Sequence, residues 1–68
     1  VSNLTEVIAK KVFSARSVAN LDILELSRLS DLSPEVIRLV EDGKYRPTPE
    51  ELIRLTDALN VKPSDLLS

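Results

Sequence analysis

Leu4, Ile8, Val12, Ala15 and Ala19 recur every three or four positions, the spacing that lines up one face of an α-helix. Val7 and Val18 widen this stripe, and Phe13 lies near its edge. Asn3 and Glu6 supply an N-cap and its partner three residues on, and Asn20 supplies a stop. A first helix is therefore expected from just after Asn3 to the neighbourhood of Asn20. Asp22 and Glu25 make a second capping pair, opening a helix through about Leu29 with Leu26 and Leu29 facing inward. Ser30-Asp31 reads as the turn that ends it.

Ser33-Pro34-Glu35 restarts a helix over Pro34–Asp42: serine caps, proline suits the first helical position, and glutamate faces the positive helix end. Ile37 and Val40 are its core residues, with Val36 beside them, and Gly43 closes it as a left-handed cap. Thr48-Pro49-Glu50-Glu51 repeats the starting grammar, with Thr48 and Glu51 as a capping box. Leu52, Leu55, Ala58 and Leu59 follow as an apolar face, and Asn60 ends that helix. Lys62 to Leu67 gives one last short turn, whose Leu66 and Leu67 are expected to seal the bottom of the core. The expected fold is all-α with five helices and no strand.

Composition narrows the picture. The 68 residues suit one small domain, residues 1–68, and a chain this short buries only about 60% of its unfolded surface. Leu, Val, Ile and Ala dominate a hydrophobic content of 43%, and Tyr45 and Phe13 are the only aromatic residues, so the core is aliphatic. Cysteine is absent, which leaves packing or dimerisation to stabilise the fold. No apolar run approaches the ~20 residues of a membrane span, and no signal-peptide pattern is present. A cytoplasmic location without membrane contact is expected.

The net charge of −2 argues against indiscriminate nucleic-acid binding. Neither half is a basic block, but Lys44, Tyr45 and Arg46 sit together just past a helix end. Catalytic readings find little support. With neither histidine nor cysteine, the commonest bases, nucleophiles and metal ligands are missing. A single glycine excludes a glycine-rich phosphate loop. The carboxylate pairs Glu41-Asp42 and Glu50-Glu51 read as helix-end charge and capping. No enzyme activity, metal or cofactor is expected.

The segment Leu21 to Lys44 reads as two short helices joined by a tight turn, a mount that serves to present a helix to the DNA major groove. Together with Glu41-Asp42-Gly43-Lys44, Pro47-Thr48, Ala58-Leu59-Asn60-Val61 and Asp65-Leu66-Leu67, it resembles the phage repressor and Cro-like, or xenobiotic-response-element (XRE), helix-turn-helix family. Val12 and Arg16 also fall where that family places an apolar and a basic residue of its first helix. The resemblance covers about residues 8–67 without a gap. It implies a compact five-helix, lambda-repressor-like domain with the helix-turn-helix in helices 2 and 3. It also implies a structural ion pair between Arg16 and Glu41. The implied role is a transcriptional regulator, such as a repressor, that binds an operator in double-stranded DNA as a homodimer. Such a protein is nucleoid-associated when bound.

Several residues depart from the family pattern. The position of a phosphate-donating glutamine is Ile23, and the usual turn glycine is Asp31, a residue type that tolerates left-handed backbone. The family's base-reading positions correspond to Pro34, Glu35 and Leu39. Proline has no donor, leucine offers only an apolar contact, and Glu35 can accept from cytosine while repelling phosphate. Arg38 is the strong donor of this helix. Ser33 at the helix start, and Lys44, Tyr45 and Arg46 in the following loop, are the expected phosphate contacts. An alternative uses the same scaffold as a protein-interaction or co-regulator module. Its surface would be Leu39 near Pro34, rimmed by Glu35 and Arg38, with a second surface around Phe13 and the extra turn at Leu4. Phe13 reads first, however, as core at the stripe edge.

Overall fold

The computed structural model describes residues 3–67, except for the side chain of Leu67. Five helices follow one another: α1 Leu4–Val18, α2 Ile23–Ser30, α3 Pro34–Glu41, α4 Pro49–Leu59 and α5 Pro63–Leu67. No strand occurs among the described residues. α1 packs on α3 and α5, while α2 packs on α3 and α4. Ile8, Val12, Leu26, Ile37, Val40, Leu52, Leu55, Leu59 and Leu66 form the core at their meeting point. The globule measures 33 × 22 × 21 Å.

Each of the first four helices begins where a short polar side chain supplies an acceptor for a free backbone amide. Asp22 accepts from the Glu25 amide at 2.7 Å while Glu25 accepts from the Asp22 amide at 3.0 Å. Thr48 and Glu51 close the same reciprocal box in front of α4. At α1 the box does not close: Asn3 accepts from the Thr5 amide at 2.9 Å, not from Glu6. The first four helices stop at residues that enter the left-handed region. Asn20, Asp31, Asn60 and Gly43 have φ of 59°, 60°, 58° and 74°. Behind Asn20, Gly43 and Asn60 the backbone closes the paired bonds of a Schellman cap, for example Gly43 N–H to Val40 and Lys44 N–H to Leu39.

Burial corrects the expected apolar faces in two places. Leu29 is 61% exposed, and the inward positions of α2 are Leu26 and Ser30. Those two lie one turn apart, so they share a face, whereas Leu29 is rotated off it. Ser30 is buried at no hydrogen-bonding loss because its hydroxyl donates to the Leu26 carbonyl at 2.6 Å. Ser30 is thus the last helical residue, and Asp31 alone makes the left-handed turn. On α1, Val18 is 85% exposed and Ala19 is an exposed cap, because the helix ends there and its last turn runs past the core. The burial of Leu66 agrees with the expected seal, while the contribution of the Leu67 side chain lies outside the described residues.

Candidate nucleic-acid interface

α2 and α3 are separated by only Asp31, Leu32 and Ser33, and both pack on the shared core. Leu32 is partly buried against that core, so the turn is pinned from beneath. Ser33 caps α3, its Oγ accepting from the Val36 amide at 3.2 Å, and Pro34 occupies the first helical position. Within α3 the two faces separate cleanly. Ile37 and Val40 are buried, while Glu35, Arg38, Leu39 and the capping Asp42 are exposed. At 100° per residue those four fall within about a third of the helix circumference. The exposed face of α3 therefore carries two carboxylates, one guanidinium and one leucine 40% exposed.

α3 is held against α1 by Arg16. Its Nε donates to Glu41 Oε2 at 2.7 Å and its Nη2 donates to Glu41 Oε1 at 2.9 Å, a bidentate pair. The third guanidinium nitrogen, Nη1, donates to the Leu21 carbonyl at 2.9 Å, tying in the segment that enters α2. Only 14% of the Arg16 side chain and 8% of the Glu41 side chain reach solvent. The hydrogen bond to Glu41 pushes the Arg16 pKa still higher against the opposing effect of burial. Arg16 also sits 5.3 Å from the centroid of the Phe13 ring. Phe13 is itself 54% exposed, so it lies outside the core and forms a platform beside the ion pair.

The loop after α3 places the other candidates. Lys44 and Arg46 are exposed, Tyr45 between them is partly buried against the core, and Pro47 is buried. The Tyr45 hydroxyl donates to Glu51 Oε1 at 2.6 Å. Ser33 and Lys44 flank opposite ends of an eight-residue helix that is itself about 12 Å long. Ile23 opens α2 with its aliphatic side chain packed against the core, and it has no side-chain donor to offer. Asp31 reaches across to Arg54 of α4 at 3.2 Å on the exposed side. Sequence reasoning missed both the Tyr45–Glu51 bond and the Arg16 bond to a backbone carbonyl. Glu51 is visible in the sequence as a capping residue, but no local signal announces that a residue six positions earlier shares its carboxylate. Among the described residues no cluster of acidic side chains is arranged to hold a metal ion, and no helix is long and apolar enough to cross a membrane.

Comparison with known proteins agrees with this geometry. The profile of the family described as Helix-turn-helix matches residues 19–66. Among solved structures, the chain is similar to the restriction-modification controller protein C.AhdI from Aeromonas hydrophila, with 22% identity, a TM-score of 0.88, and coverage of 91% of this chain and 94% of that one. It is also similar to the clp gene regulator ClgR from Corynebacterium glutamicum, with 26% identity, a TM-score of 0.92, and coverage of 97% and 70%. A hypothetical transcription factor, NHTF from Neisseria, gives 23% identity, a TM-score of 0.91, and coverage of 97% and 76%. No curated protein sequence matches the chain. The profile match spans more than half of the chain and includes α2, the turn and α3, so the chain belongs to the XRE-type helix-turn-helix family of DNA-binding regulators.

Proposed function

We propose that the chain binds an operator in double-stranded DNA as a two-fold dimer and reads it with the exposed face of α3. The observation that carries this reading is the segregation of α3: Ile37 and Val40 anchor it while Glu35, Arg38 and Leu39 stand free on one side. Arg38 is the donor suited to guanine, Glu35 the acceptor suited to cytosine N4, and Leu39 an apolar contact for a thymine methyl. Two carboxylates against one guanidinium give this face no net attraction for phosphate. Affinity then rests on the α3 N-terminus at Ser33 and on Lys44 and Arg46, which position the helix without choosing a sequence. In a dimer on B-DNA the two copies of α3 would lie about 34 Å apart. A regulator of this kind acts in the cytoplasm, on the nucleoid, and has no catalytic role.

The test is titration of the purified chain against random-sequence duplex DNA at two salt concentrations. Binding that weakens steeply with salt is the expected result, because neutralised phosphates release counterions. An absence of binding even at low salt would refute the reading. A second reading is favoured by one observation, the 40% exposure of Leu39 beside Glu35 and Arg38: α3 would then dock a protein partner. Leu39→Lys separates the two. It leaves binding to random-sequence duplex, which rests on phosphate contacts, intact or stronger, but abolishes an apolar protein contact.

A further inference from the structure

Seven residues, 42–48, link α3 to α4, and beyond the cap formed by Asp42 and Gly43 almost nothing in the backbone holds them. The Lys44 amide donates to Leu39, and the Thr48 carbonyl accepts from Leu52, but among the described residues Tyr45 and Arg46 make no backbone–backbone hydrogen bond, and Pro47 has no donor. The segment is fixed by side chains. Burial alternates along it: Lys44 exposed, Tyr45 partly buried, Arg46 exposed, Pro47 buried. With Tyr45 turned inward, its two cationic neighbours are both left facing solvent.

Tyr45 is held inward by its ring packing against the core and by one carboxylate oxygen at its hydroxyl. Glu51 Oε1 accepts from the Tyr45 hydroxyl at 2.6 Å and from the Thr48 amide at 2.8 Å, while the Glu51 amide donates back to Thr48 Oγ1 at 3.2 Å. Both lone pairs of that oxygen are used. The same atom therefore caps α4 and anchors the loop. The consequence is visible in both ionisations: the bond between them, the largest cause for each, holds the Glu51 carboxyl below the usual range and the Tyr45 phenol above it.

We infer that Tyr45 and Glu51 form a latch that presents Lys44 and Arg46 together to the DNA backbone, so that Tyr45 is a positioning residue and not a DNA contact. The inference rests on the DNA-binding reading above. It gives Glu51 a role that capping alone does not require. A loop ordered before binding has less conformational freedom to lose when its cations meet phosphate. Because the face of α3 has no net positive charge to offer, the placement of these two cations weighs heavily in affinity.

The experiment measures binding to a fluorescent random-sequence duplex at about 50 and about 200 mM salt. Wild type is compared with Tyr45→Phe, Glu51→Gln, Glu51→Ala and the Lys44→Ala/Arg46→Ala pair, with and without Tyr45→Phe. Backbone amide exchange of Lys44 and Thr48, the two loop amides with acceptors, is followed without DNA, and helix content by circular dichroism confirms that each variant is folded. Tyr45→Phe is expected to speed exchange in the loop, weaken binding about three- to tenfold at low salt, and flatten the logarithmic salt slope by up to about 2, the share of two phosphate contacts. Glu51→Gln keeps a carbonyl oxygen for both donors and retains binding, whereas Glu51→Ala behaves like Tyr45→Phe. In the Lys44→Ala/Arg46→Ala background Tyr45→Phe has no further effect. A further loss there would overturn the inference, since Tyr45 would then touch DNA itself. Wild-type binding that Tyr45→Phe leaves unchanged in affinity and slope would sink the latch alone. Failure of the wild type to bind any duplex would sink the DNA reading with it.

Discussion

Replacing Arg16 with alanine removes the guanidinium but leaves the Glu41 carboxylate, 8% exposed, against the α1–α3 contact. Two charge-assisted hydrogen bonds to Glu41 are lost, along with one to the Leu21 carbonyl. Breaking a buried ion pair from one side costs about 3–5 kcal/mol, mostly because the surviving charge is stranded. Since 14% of Arg16 and 8% of Glu41 remain in contact with water, the lower end applies, about 3 kcal/mol. A 68-residue domain has a total stability of about 3–10 kcal/mol, so the loss is a large share of it. The midpoint of thermal unfolding, followed by circular dichroism, should fall by about 12–24 °C. The double substitution Arg16→Leu/Glu41→Leu strands no charge and should recover most of the loss. A drop below about 1 kcal/mol for Arg16→Ala, or a double variant as unstable as the sum of the two singles, would refute the reasoning.

Three further outcomes are expected. Gly43→Ala places a side chain at φ +74°; its Cβ would meet Glu6 Cγ and Ala9 Cβ at 3.8 and 4.0 Å, which is ordinary contact, so the cost is backbone strain of about 1–2 kcal/mol in urea unfolding. Leu29→Gln should change stability by less than about 0.5 kcal/mol, because the side chain is 61% exposed, whereas Leu26→Ala, at a fully buried position, should cost about 2–5 kcal/mol. The third concerns pH. The Glu51 carboxyl is lowered by the Tyr45 hydrogen bond first and the Thr48 backbone second. Its contribution is therefore present above the ordinary carboxylate value and is lost as pH falls through the depressed one, whereas Tyr45→Phe should shrink this acid-side dependence.

Where the sequence speaks through neighbouring residues, it is legible. The reciprocal capping of Asp22 with Glu25 and of Thr48 with Glu51 is written in adjacent letters, because a side chain reaches an amide only three residues away. The stops at Asn20, Asp31, Gly43 and Asn60 are legible for the same reason, since these residue types accept a left-handed backbone. The candidate site was partly legible: Arg38, Glu35 and Leu39 fall on one face by helical period alone, and the Arg16–Glu41 pairing followed from family resemblance. Tyr45 illustrates the limit. Its place between Lys44 and Arg46 groups it with the DNA-binding candidates in sequence, and no neighbouring residue signals that its hydroxyl bonds Glu51 once α4 packs beside the loop.

The sequence alone determined the five helices, their starts and stops, and the side of α3 left free. Tertiary structure decided which of two rotationally adjacent residues goes inward on a helix only two turns long. α2 offers both Leu29 and Ser30, and packing against α3 and α4 buries the serine because its hydroxyl can bond back to Leu26. Packing also decided that Val18 stays exposed where α1 outruns the core, and that Arg16 and Glu41, 25 residues apart, meet as a bidentate pair. The physical division is one of range. Capping and backbone preference act within four residues, whereas burial and ion pairing depend on surfaces that exist only after the helices have come together.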